Sequence, residues 1–61
     1  MNKKTIVILG ATCNLGMELS YIYAKNNFNL VLISRSSIKN QELKNSLQQK
    51  FSNISVSTYE L

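Results

Sequence analysis

The chain has no histidine, one cysteine, two glycines and three acidic residues among its 61. Without histidine, and with a single thiol, it can assemble neither a disulfide framework nor a structural zinc site, so no metal is expected. The lone Cys13 fits a reducing compartment, and a cytoplasmic protein is expected. Folds below roughly 70–80 residues usually need such a staple or a partner, because a chain this short buries only about 60% of its unfolded surface. No apolar run approaches the ~20 residues of a membrane span, so no membrane partner is expected. The net charge is +4. Its lysines (Lys3, Lys4, Lys25, Lys39, Lys44 and Lys50) are scattered rather than gathered into a stripe with interleaved aromatics, and no nucleic-acid partner is expected. Repeats, linkers and low-complexity tracts are also missing.

The opening Met1-Asn2-Lys3-Lys4, followed by an apolar run that ends at Cys13, has the pattern of a secretory or lipoprotein leader. Its apolar core, residues 6–11, is shorter than a usual leader core. Gly10 also stands three residues before Cys13, where a lipoprotein cleavage site takes a large apolar side chain. The leader reading is therefore set aside.

With only two glycines, their positions matter. Gly10 and Gly16 bracket a short segment between Thr5-Ile6-Val7-Ile8-Leu9, continuously apolar and β-branched, and a helical run over residues 15–26. The first run is too short for a helix and reads as a buried strand. A strand that stops abruptly and turns directly into a helix presents free N–H groups and the positive end of the helix dipole. This is where a nucleotide-binding α/β domain holds a pyrophosphate: the first glycine allows the turn, and the last lets the helix pack closely on the strand. A P-loop is excluded, because Met17 stands where a lysine must reach the phosphates.

The rest alternates in the same way. The helix over 15–26 carries one apolar line at Leu15, Leu19, Ile22 and Tyr23, and a second at Met17, Tyr21, Ala24 and Phe28. Asn26-Asn27 closes it, since asparagine tolerates the left-handed conformation of a helix end. Residues 30–33 form a second buried strand. Ser36 or Ser37 caps a second helix running to about Phe51, with Ile38, Leu43, Leu47 and Phe51 as its stripe and an otherwise exposed polar surface. Residues 54–59 alternate apolar and polar side chains as a third strand. The order β-α-β-α-β implies parallel strands and right-handed crossovers, with both helices on one face of the sheet. Residues 6–9 and 30–33 are nevertheless apolar on both faces, as strands between two helical layers are. These 61 residues are thus expected to be part of something larger and to fold poorly alone.

Two segments carry a resemblance that covers essentially the whole chain. Gly10-Ala11-Thr12-Cys13-Asn14-Leu15-Gly16, and Leu30-Val31-Leu32-Ile33-Ser34-Arg35-Ser36-Ser37-Ile38-Lys39, resemble the short-chain dehydrogenase/reductase family in its short single-domain branch. The family's loop runs glycine, three residues, glycine, one residue, glycine. Asn14 stands at the middle glycine and still visits positive φ. The extended branch places that glycine one residue earlier, at Cys13, and is missed equally. The resemblance implies an α/β fold: residues 1–61 form the N-terminal β-α-β-α-β part, incomplete, of a Rossmann-type doubly wound parallel sheet, a partial NAD(P)-binding domain.

It further implies a cofactor site. Gly10 and Gly16 shape the loop, Thr12 and Cys13 take its small positions, and the Thr12 hydroxyl serves the adenosine ribose or phosphate region. Asn14 and Leu15 offer backbone N–H groups to the pyrophosphate. At the end of the second strand an acidic residue would bind the ribose hydroxyls of NAD. Ser34 is neutral there, and Arg35 follows with a guanidinium suited to a 2′-phosphate. Ser36 and Lys39 add a hydroxyl and a charge, so NADP (NADPH) is expected over NAD.

The complete protein would then act on a small-molecule carbonyl or alcohol substrate by hydride transfer, as a homo-oligomer. Family members use a serine, a tyrosine and a lysine four residues after the tyrosine, all on later elements. Tyr21-Ile22-Tyr23-Ala24-Lys25 has that spacing but lies in the first helix, roughly 9 Å along an axis leading away from the loop at about 1.5 Å per residue. It is read as a packing tyrosine and a surface lysine, and no catalytic residue is expected in this chain. The alternative is a non-catalytic nucleotide-binding sensor of the same fold, lacking that serine and tyrosine–lysine pair.

Overall fold

A computed structural model describes residues 3–61. The first two residues of the leader-like opening lie outside the described residues. Strands and helices alternate as β1 (Thr5–Leu9), α1 (Asn14–Lys25), β2 (Asn29–Ser34), α2 (Ser37–Lys50) and β3 (Val56–Glu60). The strands form one parallel sheet in the order β1-β2-β3. Ile6 is level with Leu30 and Ile8 with Leu32 across the first pair, and Leu30 with Val56 across the second. Each crossover passes through a helix, as parallel pairing requires.

Alternation along a strand sends successive side chains to opposite faces. Ile8, Leu30, Leu32 and Val56 are buried together with Leu43 and Leu47 of α2 and Ala24 of α1 in a single core. The opposite face carries Val7, Val31, Leu9 and Ile33. At the β1 edge this face is open, with Val7 56% and Leu9 71% exposed. The helices therefore share one face, and the incomplete Rossmann-type sheet has the form the sequence implies.

Both helices turn toward the sheet differently from their hydrophobic pattern. On α1 the buried line is Gly16, Ser20 and Ala24, while Leu15, Leu19 and Ile22 face outward. Small residues win because the helix comes down onto the backbone of the turn before it, leaving no room for leucine. Ser20 satisfies its buried hydroxyl by donating to Gly16 O at 2.7 Å. Tyr23 is half-buried and meets Phe28 edge-on at 5.1 Å. Asn27, at φ 70°, closes the helix in the left-handed conformation.

On α2 the buried residues are Asn40, Leu43 and Leu47, with Phe51 packed beside them. Ile38, expected in that stripe, is 72% exposed. It precedes Leu47 by two and a half turns at about 3.6 residues per turn, which places it on the opposite side of the helix. Asn40 occupies the inward position instead, contrary to the expectation that asparagines of this helix face solvent. The third strand begins at Val56, two residues later than its alternation suggested, and Ile54 is buried ahead of it. No helix among the described residues is long and apolar enough to cross a membrane.

Candidate functional site

Parallel strands place both strand-to-helix turns on the same rim of the sheet. In the first, Gly10 adopts φ +69°, a conformation that side chains disfavour, although a Cβ there would meet only Cys13 Sγ at 3.8 Å. Its backbone is tied down on both sides: the N–H groups of Gly10 and Ala11 donate to Ile33 O at 2.8 and 3.2 Å, and Cys13 N–H donates to Gly10 O at 3.0 Å. Gly16 answers a different constraint. A Cβ there would drive into Gly10 O and lie 2.9 Å from Ala11 Cα, so the first turn of α1 rests directly on the loop.

This helix start is open. Cys13 is its N-cap residue in extended conformation, yet no side chain caps the turn, and the first turn holds no acidic residue. The N–H groups of Asn14, Leu15 and Gly16 precede the first intrahelical bonds, and among the described residues they and the positive dipole end have no side-chain partner. Cys13, Asn14 and Leu15 are exposed and Thr12 is half-buried.

The second turn is built differently. Ser36 caps α2, its Oγ accepting from Lys39 N–H at 3.2 Å. Ser34 is 3% exposed, on the same face as Leu30 and Leu32, and its hydroxyl donates to Ser36 O at 3.1 Å. The Ser34 side chain therefore braces the turn instead of standing at its surface. Arg35 and Lys39 remain exposed on either side of the cap.

A groove of about 410 Å³ joins the two turns between the helices. Thr12 and Asn14 line it from the first, and Lys39 from the second, with Met17, Tyr21 and Glu42 further along. Of the cofactor-site residues singled out in the sequence, Thr12, Asn14 and Lys39 are brought together here; Gly10, Cys13, Leu15, Gly16, Ser34, Arg35 and Ser36 do not line this groove. Tyr21 meets Phe51 edge-on at 6.3 Å, and the Lys50 ammonium lies 5.9 Å from its ring centre. Asn40 was missed by the sequence reading, although a lone amide in step with Leu43 and Leu47 was a visible signal.

No protein-family model matches the chain. A Caenorhabditis elegans protein described as "Putative steroid dehydrogenase 3" is 36% identical over 50 residues, which are 82% of this chain and 16% of that protein. The L-sorbose reductase of Gluconobacter frateurii, solved with NADPH and L-sorbose, is similar over 100% of this chain and 23% of its own, with TM-score 0.92 and 26% identity. A short-chain dehydrogenase from Sphingobium yanoikuyae in complex with NADPH covers 93% of the chain and 22% of its own, at TM-score 0.89 and 23% identity, a likeness of fold. The chain spans less than a quarter of the length of each of these relatives. Sequence and fold together identify these 61 residues as the β-α-β-α-β segment of a short-chain dehydrogenase/reductase.

Proposed function

We propose that residues 1–61 are part of an NAD(P)-binding Rossmann domain and hold the adenosine and phosphate portion of NADP(H) at the rim formed by the two turns. The observation that carries this reading is the open start of α1. Gly10 makes the left-handed turn and Gly16 lets the helix start rest directly on it, so the uncapped N–H groups stand at the rim, where they suit a pyrophosphate. Asn14 and Leu15 would serve it through the backbone, with Thr12 and Cys13 as the small loop residues. Arg35 and Lys39 supply positive charge across the rim and Ser36 adds a hydroxyl, while the neutral Ser34 supports the turn from its buried side. That set favours a ribose 2′-phosphate, hence NADP over NAD. The NADPH carried by the sorbose reductase and by the Sphingobium dehydrogenase supports a nicotinamide cofactor here.

A bound nicotinamide dinucleotide would supply or accept hydride; this chain's residues bind and orient it. In the complete, cytoplasmic and homo-oligomeric protein the reaction would be oxidoreduction of a small carbonyl or alcohol substrate. The groups that move its proton would come from outside these residues. The test is NADP+ and NAD+ affinity of the complete protein and of its Arg35→Ala variant at fixed ionic strength. A charge-assisted contact contributes about 1.5–3 kcal/mol, so Arg35→Ala should weaken NADP+ by roughly 10- to 150-fold and leave NAD+ nearly unchanged. Equal affinities in the unmodified protein would refute the cofactor preference.

A further inference from the structure

We infer that Asn40 sets the NADP(H) preference of this site without touching the dinucleotide, by holding the turn that carries Arg35 and Lys39. The inference rests on the reading above. Asn40 is 1% exposed and sits between the ends of two strands, its Nδ2 donating to Leu32 O at 3.0 Å and to Tyr59 O at 3.2 Å. Its backbone N–H donates to Ser36 O at 3.0 Å, the carbonyl that also receives the Ser34 hydroxyl. Arg35 is thus bounded on both sides by residues in one bonded chain: Ser34 to Ser36, Ser36 to Asn40, Asn40 to the rims of β2 and β3. Lys39 joins the same chain through its N–H on Ser36 Oγ.

The two hydrogen bonds that the amide donates come with a cost. Its Oδ1 is buried without a hydrogen-bond partner among the described residues, and an unpaired buried acceptor opposes folding. The geometry is the gain. Both Nδ2 protons are committed to carbonyls of different strands, and rotating the amide would set Oδ1 against two carbonyl oxygens, so α2 is fixed in rotation and height over the rim. A turn fixed before the ligand arrives loses less freedom on binding. On that reading the gain falls on the 2′-phosphate that Arg35 and Lys39 would hold, and not on the pyrophosphate that the other turn would hold.

The test compares NADP+ and NAD+ affinities of the complete protein with those of its Asn40→Leu and Asn40→Asp variants, at one ionic strength, with folding followed by circular dichroism. Leucine removes the amide while keeping volume; aspartate keeps the shape and turns an oxygen toward both carbonyls. The NADP+/NAD+ affinity ratio should fall about three- to tenfold in each variant, the size of one hydrogen bond's net contribution, with NAD+ affinity held. A folded variant with an unchanged ratio, or with both affinities reduced together, overturns the inference and leaves Asn40 a structural residue. Loss of preference in Arg35→Ala alongside an unchanged Asn40→Leu sinks this inference alone; no effect of Arg35→Ala sinks the cofactor reading beneath it. Should neither variant fold, hydrogen exchange of the unmodified protein decides. The Asn40 side-chain amide protons must be protected before any dinucleotide is added, and rapid exchange there overturns the inference.

Discussion

The two strand-to-helix turns lie side by side on one rim of the sheet, yet they treat the following helix in opposite ways. The first, from Gly10 to Gly16, spends its backbone donors on Ile33 O and leaves the start of α1 without a cap. The second, from Ser34 to Lys39, closes the start of α2 with Ser36 and ties itself down through Ser34 and Asn40. One turn offers the backbone and the helix dipole; the other offers charged side chains on a braced support. The contrast teaches how a site divides its labour. A shared group such as a pyrophosphate suits fixed backbone donors, whereas a distinguishing group such as a 2′-phosphate suits side chains that can be exchanged.

Substitutions at four positions probe that contrast. Gly16→Ala should have the largest effect, because the new methyl meets backbone at Gly10 O and Ala11 Cα, where nothing flexible can yield. Overpacking of this kind costs about 3 kcal/mol, and in the complete protein the thermal unfolding midpoint should fall sharply. A native-like melting curve would mean that the helix does not rest on the loop. Gly10→Ala meets no crowding and suffers only its left-handed φ, at about 1–2 kcal/mol; Gly10→Asn should recover part of that, since asparagine tolerates the conformation. Equal losses for the two variants would assign the cost to something other than φ.

At the second turn, Ser36→Ala removes the cap of α2 and should destabilise by about 1 kcal/mol, read from denaturant midpoints. The smallest effect is expected at the first turn, where Cys13→Ser places a capping hydroxyl on an extended N-cap residue. It should stabilise by about 0.5 kcal/mol while weakening both dinucleotides alike, because the hydroxyl competes for the same N–H groups. A cap that stabilised α1 and left dinucleotide affinity intact would show that the open helix start is not where the pyrophosphate binds.

Much of this was legible in the residues because it rests on local chemistry. Two glycines in the whole chain, one after a strand and one inside a helix start, leave little choice about where the tight turn lies. Ser36 before a helical run, and Asn27 after one, mark caps through their own side chains and backbone tolerance. The face that α1 buries was not legible. Leu15, Leu19 and Ile22 have the hydrophobicity of a core stripe, but contact at Gly16 draws the helix so near the sheet that only glycine, serine and alanine fit along that line. Ser34 reads as a surface residue beside Arg35, whereas strand alternation puts it in step with Leu30 and Leu32 and turns its hydroxyl inward.

The order of elements, the parallel sheet they imply and the two turns that bear the glycines and the basic residues were determined by the sequence itself. Each depends on periods of two or 3.6 residues and on backbone preferences that act within a few positions. The tertiary structure alone decided that α1 packs through its small residues, that Thr12 and Asn14 share a groove with Lys39, and that Asn40 bridges two strand ends. Those facts depend on how closely a helix can approach a sheet. That distance is set by side chains far apart in the chain, meeting only when it is folded.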